Sequence, residues 1–329
     1  MNTTGRTRVI SNINGPEIVT RRGNLSFTTI NLPQLGIESM LLEGTTEQKE
    51  ALLYENLSIV LDIACRQLFH RYTIQKNRKV YNFPYVMREG AYMGSEYLEQ
   101  EDTIEKAILN GSLTVGFVGL AECMKAVYGK DHAESAEVHA KALKLIQYMN
   151  DVVAQWQRDT HLNWGVMATP AESVAGALLR KDVAKYGVIP GVTDKEYYTN
   201  SFHVPVSKKV TASEKIRIEG PFHELCPAGH ISYIELDGDP TKNVEAIHIL
   251  NNKMHDANMG YWGLNAKMDC CTSCGYVGII ETDVCPCCGA VDTPNTPIRR
   301  PRRITGYLSY ADRFNSAKAA ELKDRTTHC

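Results

Sequence analysis

Six cysteines are concentrated in residues 270–288, and four of them form two C-x-x-C pairs separated by ten residues. Two such pairs supply four thiolates, and each pair, on a tight turn, can hold two corners of the tetrahedron that zinc prefers. The spacing therefore predicts a structural zinc site that staples a small subdomain. Its predicted ligands are Cys271, Cys274, Cys285 and Cys288.

The residues around these pairs support a metal site over a disulfide or redox pair. Gly275 and Gly289 each follow a pair, where a residue without Cβ lets the backbone fold around the metal. Cys270 and Cys287 adjoin the pairs but break the spacing, so they are predicted to be neighbours of the site. The N-terminus has no charged-then-apolar secretory pattern, which favours a reducing, cytoplasmic location.

Charge and hydropathy exclude two classes of function. The 36 Lys and Arg residues nearly balance the 38 Asp and Glu residues, so the long-range basic field of a general nucleic-acid binder is absent. No apolar run approaches the roughly 18 residues that a membrane helix needs. One local basic cluster could bind phosphate or solvate a loop; it consists of Arg299, Arg300, Arg302 and Arg303.

Helical and strand patterns alternate along the chain, which predicts an α/β fold. Helices are predicted over residues 45–75, 132–158, 169–186 and 240–256, and strands within residues 1–34 (two), 113–121, 163–168, 229–236 and 261–265. Thr45 with Gln48 predicts a capping box, and Thr169 with Glu172 predicts another. Residues 81–100 are predicted to be irregular.

Individual side chains off these patterns have ordinary structural interpretations. Cys65 and Cys123 are expected to be small buried apolar residues. Glu122, at a strand end, is interpreted mainly as a loop contact, although such glutamates are sometimes functional. His132 and His139 lie off the apolar stripe of their helix and are expected to be solvated.

Several segments together resemble class III (anaerobic) ribonucleotide reductases. Residues 303–308 read R-I-T-G-Y-L directly after the cysteine pairs, and they resemble the family's glycyl-radical loop. Residues 22–33 resemble its R-G-N-x-x-x-T-T-I-N-L-P barrel strand, residues 169–172 its T-P-A-E motif, and residues 197–203 its Y-Y-T-N-S-x-H segment. The resemblance covers nearly all of this chain but only the C-terminal portion of the family.

The resemblance implies a fold and a division of the chain. It implies the C-terminal part of a ten-stranded α/β barrel of the glycyl-radical type over residues 1–265, with a finger-loop remnant at 1–34. A four-cysteine zinc-ribbon subdomain would follow at 266–298, and the glycyl-radical loop and tail at 299–329. Gly306 is the implied radical residue, because an α-carbon without a side chain does not crowd a planar radical.

The resemblance also implies a reaction and its partners. The activity would be reduction of ribonucleoside triphosphates, with formate or a thiol donor as reductant. An activating enzyme that uses S-adenosylmethionine and an iron-sulfur cluster would install the Gly306 radical, and a homodimer is expected. Asn24 is the implied match to an asparagine that helps to hold formate. The start of the T-P-A-E helix could attract an anion or could be a capped scaffold helix.

The 197–203 segment is rich in polar and aromatic side chains, and two interpretations stay open for it. It could line the substrate cavity, or it could be a loop whose polar groups satisfy one another. The candidate cavity residues are Tyr198, Asn200, Ser201 and His203.

One departure from the family pattern limits the prediction. The family's finger loop reads G-C-R-T-R, and its cysteine becomes the thiyl radical, but Gly5 occupies that position here. Glycine cannot abstract and return a hydrogen atom as sulfur does. An alternative is therefore a split subunit or decayed fragment that needs a partner chain with the N-terminal half and the cysteine. A zinc-ribbon nucleic-acid binder is the third alternative.

Overall fold

The structure, a computed structural model, describes residues 8–295 and 297–328. Within those ranges the helices are α1 (Leu32–Met40), α2 (Thr46–Lys76), α3 (Glu105–Ile108), α4 (Leu120–Tyr128), α5 (Ala136–Thr160), α6 (Glu172–Tyr186), α7 (Ala212–Leu225), α8 (Val244–Asp256) and α9 (Ser316–Asp324). The strands are β1 (Asn24–Asn31), β2 (Ser112–Val118), β3 (Asn163–Ala168), β4 (Ser232–Glu235), β5 (Trp262–Asn265), β6 (Asp269–Cys271), β7 (Val277–Gly278), β8 (Ile298–Arg299), β9 (Pro301–Arg303) and β10 (Leu308–Tyr310). This alternation confirms the predicted α/β class.

The main sheet is parallel. β1, β2 and β3 are hydrogen-bonded in that order, and β4 and β5 form a second parallel pair. Two backbone hydrogen bonds connect the segment just before β4 to β3, from Ala228 N to Val166 O at 3.0 Å and from Ala168 N to Gly229 O at 2.8 Å. The loops that follow the carboxyl ends of these strands are where functional side chains of parallel α/β proteins collect.

The longest helix, α2, begins and packs as its sequence predicts. Gln48 N donates to Thr45 Oγ1 and Thr45 N donates to Gln48 Oε1, so the predicted capping box is confirmed. Its apolar stripe is buried in the main core, which lies between the helices and the main sheet. The buried stripe residues are Leu53, Leu57, Leu61, Ala64 and Leu68.

The predicted environment of two histidines is wrong. His132 is 1% exposed and hydrogen-bonds the Phe202 carbonyl at 2.9 Å. His139 is half-buried and hydrogen-bonds the Ile218 carbonyl at 2.8 Å. Both lie under elements that the helical stripe of α5 could not reveal, namely α7 and the 197–203 segment.

Five helices, α1, α3, α4, α7 and α9, were not predicted from the sequence. α7 contains Gly220 and Pro221, and this pair normally predicts a turn rather than a helix. Thr211 and Glu214 nevertheless form a capping box at the start of α7. The predicted strand before β1 is also wrong for residues 8–23, which have no regular secondary structure. Residues 1–7, with Gly5, lie outside the described residues. The predicted buried positions of Cys65 and Cys123 are confirmed.

The C-terminal elements form a small separate layer. β6 pairs with β7 and β8 around a minor core of Cys271, Ile280, Cys285 and Ile298. β9 and β10 form an antiparallel hairpin, and α9 packs against α6. Within the described ranges, no helix is both long enough and apolar enough to cross a bilayer.

Candidate functional site

The four predicted cysteine ligands converge on one point. Their sulfur atoms all lie within 4.8 Å of one another. Cys271 Sγ is 3.8 Å from Cys288 Sγ, and Cys274 Sγ is 3.8 Å from Cys285 Sγ. Four sulfurs at about 2.3 Å from a tetrahedral zinc are about 3.8 Å apart. Two of the sulfur pairs already have this separation, so the residues present fit such an ion.

Two equivalent turns build the cluster. Gly275 N donates to Cys271 O at 2.9 Å, and Gly289 N donates to Cys285 O at 3.0 Å. Both glycines adopt the left-handed backbone conformation, with φ of 74° and 71°, and a Cβ at either position would meet no atom within 4 Å. These positions therefore require glycine for backbone conformation rather than for space.

A buried carboxylate connects the cysteine cluster to the hairpin. Asp269, at the start of β6, is fully buried and forms ion pairs with Arg302 at 2.6 Å and Arg300 at 3.5 Å. Arg300 also donates to the Ile280 carbonyl at 2.7 Å. We call Asp269, Arg300 and Arg302 the Asp269 junction, because they bring the chain from the metal-binding turns directly into β9.

The other two arginines of the basic cluster are also engaged by the protein. Arg303 donates to Asn265 Oδ1 at 2.7 Å and stacks over the Tyr233 ring at 4.9 Å. Arg299 stacks over Tyr310 at 5.0 Å. These contacts give the cluster a structural role in seating the hairpin on β5, which neither of the two sequence interpretations anticipated.

Gly306 lies in the turn of this hairpin. Arg303 pairs with Leu308, so residues 304–307 form the turn. Gly306 is half-buried, between Thr305, which is 1% exposed, and Tyr307, which is 58% exposed. One side of the turn thus faces the protein and the other faces solvent.

The predicted capping box of α6 is wrong, and the reason bears on this turn. The helix begins at Glu172 after Ala171, and no side chain caps it. Thr169 Oγ1 instead hydrogen-bonds Thr29 Oγ1 at 3.0 Å. Glu172 accepts a hydrogen bond from Thr305 Oγ1 at 2.5 Å and forms an ion pair with Lys318. Glu172 therefore contacts the residue next to Gly306 rather than the helix start.

Among the candidate cavity residues, Tyr198 and Asn200 are buried and bonded to protein groups. The Tyr198 hydroxyl donates to Asp182 Oδ2 at 2.7 Å; burial and this carboxylate raise its pKa. Asn200 accepts from Ala171 N at 2.8 Å and donates to Glu321 Oε2 at 3.1 Å. Both side chains are therefore bonded to groups of α6, α9 and the residue before α6, rather than to other residues of the segment.

Ser201 and His203 complete that segment. Ser201 is fully buried with φ of 47°, and Leu120 N donates to its carbonyl at 3.2 Å. His203 Nε2 hydrogen-bonds the Ile231 carbonyl at 2.9 Å. A buried non-glycine residue in the left-handed region carries strain, which is retained most often at functional sites.

Asn24 is not brought together with this segment. It is the first residue of β1, whereas residues 199–201 contact the carboxyl end of β2 through Gly119 and Leu120. Seven strand steps of about 3.3 Å separate Asn24 from the carboxyl end of its own strand, a distance of about 23 Å. Asn24 Nδ2 donates to Thr114 Oγ1 at 2.7 Å.

A cavity of about 740 Å³ lies between the ends of β4 and β5, the cysteine-cluster sheet and the hairpin. Its lining includes Glu235, Asn265, Cys270, Arg303, Leu308 and Arg325. Neither Gly306 nor the 197–203 segment is among the lining residues. The cavity therefore adjoins the base of the hairpin rather than the turn.

The sequence patterns did not predict that residues of α9, and Arg325 directly after it, reach the hairpin. Lys318 and Arg325 both contact the 303–307 stretch, and Glu321 contacts Asn200. The four-residue spacing of Glu321 and Arg325 does predict their ion pair, observed at 3.1 Å. No local pattern indicates that the same arginine also bonds backbone carbonyls of another element.

Known proteins resemble this chain over nearly its whole length. The family model for anaerobic ribonucleoside-triphosphate reductase matches residues 2–328. The enzyme of that name from Escherichia coli K12 is 32% identical, over 97% of this chain and 44% of the relative. The one from bacteriophage T4 is 31% identical, over 95% of this chain and 50% of the relative. The chain thus spans about half the length of these curated relatives.

Solved structures agree on the fold. An anaerobic ribonucleotide reductase superposes with a TM-score of 0.74 at 20% identity, covering 93% of this chain and 45% of that one. The Thermotoga maritima enzyme in complex with dATP and CTP superposes with a TM-score of 0.66 at 20% identity, covering 94% and 46%. Together with the family match, these findings confirm the predicted resemblance: the chain belongs to the anaerobic ribonucleoside-triphosphate reductase family.

Proposed function

We propose that this chain carries the glycyl-radical site of an anaerobic ribonucleoside-triphosphate reductase, with Gly306 as the radical residue. The observation that carries the proposal is the position of Gly306, half-buried in a hairpin turn that follows directly from the cysteine cluster. The loss of one α-hydrogen from a glycine leaves a planar carbon flanked by two peptide groups that delocalise the unpaired electron. A half-buried turn shields that carbon on one side and leaves the other open to an activating enzyme.

The metal proposed for the cysteine cluster is zinc. Four thiolates at tetrahedral spacing suit zinc, which has no redox chemistry of its own and would serve as a structural staple. The ion would be held by Cys271, Cys274, Cys285 and Cys288 and would make the two cysteine turns rigid. The Asp269 junction would then hold β9 in a fixed position relative to these turns. The role of the metal is then to fix the direction in which the hairpin leaves the subdomain.

The remaining parts of the proposed reaction come from the family. The substrate would be a ribonucleoside triphosphate and the reductant formate or a thiol donor. The partner would be an activating enzyme with S-adenosylmethionine and an iron-sulfur cluster, and the assembly a homodimer. Strain at Ser201 supports the 197–203 segment, with Tyr198, Asn200 and His203, as part of the substrate site. If Asn24 holds formate, the formate must bind at the amino end of β1.

Electron paramagnetic resonance tests the radical assignment. The protein is activated anaerobically by a radical-SAM activating enzyme of the family, and its spectrum is compared with that of Gly306→Ala. We expect a doublet in the unaltered protein, since the remaining α-hydrogen splits the signal in two, and no doublet in the variant. A doublet that persists in Gly306→Ala would exclude this residue, and failure of any doublet to form would overturn the proposal.

Metal analysis tests the zinc assignment. We expect one zinc per chain, lost in Cys271→Ser and in Cys285→Ser. Cys287→Ser is the matched control, because this exposed neighbour lies outside the cluster and its loss should leave the zinc in place. Retention of zinc in both ligand variants, or its loss in the control, would refute the ligand assignment.

A second candidate function follows from Gly5. Because glycine occupies the position of the family's thiyl cysteine, the radical could be passed to a cysteine on a partner chain that carries the N-terminal half. Mixing the activated protein with a separately expressed N-terminal half of a relative should then restore nucleotide reduction. If this chain reduces nucleotides alone, the split-subunit alternative is wrong.

A further inference from the structure

We propose that α9 is a strut that fixes the Gly306 turn relative to the 197–203 segment, with Lys318 and Arg325 as its positioning residues. This inference rests on the proposed radical role of Gly306. It concerns neither the cysteine cluster nor the identity of the radical residue, and it assigns a role to a helix that the sequence patterns did not predict.

The first contact holds both neighbours of Gly306 through a single carboxylate. Thr305 Oγ1 donates to Glu172 Oε1 at 2.5 Å, and Lys318 Nζ forms an ion pair with the other oxygen of Glu172. The same Lys318 Nζ donates to the Tyr307 hydroxyl at 2.7 Å and lies 4.7 Å from the centre of its ring. Residues 305 and 307 are therefore tied to one another and to α6 across the glycine between them.

The second contact holds the strand that enters the turn. Arg325 donates to the carbonyl of Arg303 at 2.8 Å and to that of Ile304 at 2.7 Å. Its guanidinium is also paired with Glu235 at 2.8 Å and with Glu321 at 3.1 Å. A planar guanidinium can make these bonds at once, and a lysine cannot.

Burial makes these contacts stronger than surface pairs. The side chain of Lys318 is 9% exposed, that of Glu172 14% and that of Arg325 8%. Although burial alone would lower the pKa of Lys318, its bonds to Glu172 and Tyr307 raise that pKa above the usual value. Charged hydrogen bonds in such surroundings contribute more than exposed ion pairs do.

The same helix also reaches the candidate substrate segment. Glu321 accepts from Asn200 Nδ2 at 3.1 Å, and Asp324 accepts from the Tyr197 hydroxyl at 2.8 Å. Asn200 in turn accepts from Ala171 N, immediately before Glu172. Hence one helix contacts the turn through Lys318 and the segment through Glu321, so a displacement of either is transmitted to the other.

Hydrogen exchange of the unactivated full chain tests the strut without requiring a radical. We compare the peptide spanning residues 303–309 in the unaltered protein, Lys318→Met, Thr305→Val and Lys323→Met. Lys323→Met is the matched control, because this lysine lies on the exposed side of α9. Thr305→Val removes one hydrogen bond to Glu172 without leaving a buried charge, so it stays informative if Lys318→Met folds poorly.

We expect exchange in this peptide to become at least about tenfold faster in Lys318→Met and Thr305→Val, to be unchanged in Lys323→Met, and to recover largely in Lys318→Arg. After activation, the same two variants should show a smaller doublet than the control. Exchange that is unchanged in both variants, or equally faster in Lys323→Met, overturns the strut. Absence of a doublet in the unaltered protein would instead overturn the proposed function, and the exchange result would still decide whether α9 holds the turn.

Discussion

Replacing Asp269 with asparagine is expected to loosen the connection between the cysteine cluster and the Gly306 hairpin. Asp269 is fully buried, and its carboxylate faces Arg302 at 2.6 Å and Arg300 at 3.5 Å. The amide has the same shape but no charge, so the variant leaves two partly buried guanidinium groups beside a neutral side chain.

The magnitude follows from burial and from the partners that remain. Removing one partner of a buried ion pair costs about 3–5 kcal/mol. The arginine side chains are 17% and 23% exposed, and Arg300 keeps Asp283 and Asp292 as carboxylate neighbours. These features reduce the expected loss to about 2–3 kcal/mol. Since each 1.4 kcal/mol is a factor of ten, local opening should become about 30- to 150-fold more frequent.

Hydrogen exchange of residues 298–303 measures this opening directly, and Asp283→Asn is the matched control. Asp283 also contacts Arg300, at 3.4 Å, but its side chain is 83% exposed. Its replacement should change stability by less than about 0.5 kcal/mol. Equal exchange in the two variants would refute the reasoning that the buried carboxylate, rather than the number of ion pairs, holds the hairpin to the cluster.

Three further perturbations test other parts of the structure. Gly275→Ala and Gly289→Ala should each destabilise the cysteine turn by about 1–2 kcal/mol, because the left-handed backbone, and not the surrounding space, requires glycine. Each variant should therefore lose zinc to a chelator more readily, and unchanged zinc retention in both would contradict this. Thr45→Ala removes the cap of α2 and should lower the free energy of unfolding, measured in urea, by about 1 kcal/mol. An unchanged free energy of unfolding would contradict the capping role. Burial, opposed by the attraction of Asp131, lowers the pKa of His132 to about 4. Because an unfolded histidine titrates near 6.5, the unfolded state binds more protons below that pH. Stability should therefore fall from about pH 6.5 toward pH 4, by up to about 1.4 kcal/mol per pH unit, and His132→Gln should flatten the slope in urea titrations at several pH values.

Local patterns predicted the parts of this chain that depend on local geometry. The two C-x-x-C turns, the capping box at Thr45 and strand β3 involve residues close in sequence, whose spacing alone determines which groups can meet. The same rules were wrong at Thr169 and Glu172. There the capping pattern is present, but Glu172 instead bonds Thr305 and Lys318. These partners are distant in sequence, so no local sequence pattern can predict the contacts.

The buried histidines and the role of α9 show the same limit. His132 lies in the turn before α5, and the 197–203 segment covers it. Nothing in the sequence around Arg325 indicates that its guanidinium bonds the carbonyls before Gly306. The family resemblance indicated which glycine to examine, and the structure was needed to show which side chains hold it.

The most direct test of the radical assignment is the electron paramagnetic resonance spectrum of activated protein produced in cells that are supplied with glycine deuterated at the α-carbon. If the unpaired electron resides on a glycine α-carbon, the doublet should collapse to a single line, since deuterium couples far more weakly than hydrogen. Paired with Gly306→Ala, in which no signal should form, this measurement assigns the radical to one of the 24 glycines in the chain. A doublet that keeps its splitting in the deuterated protein would contradict the account.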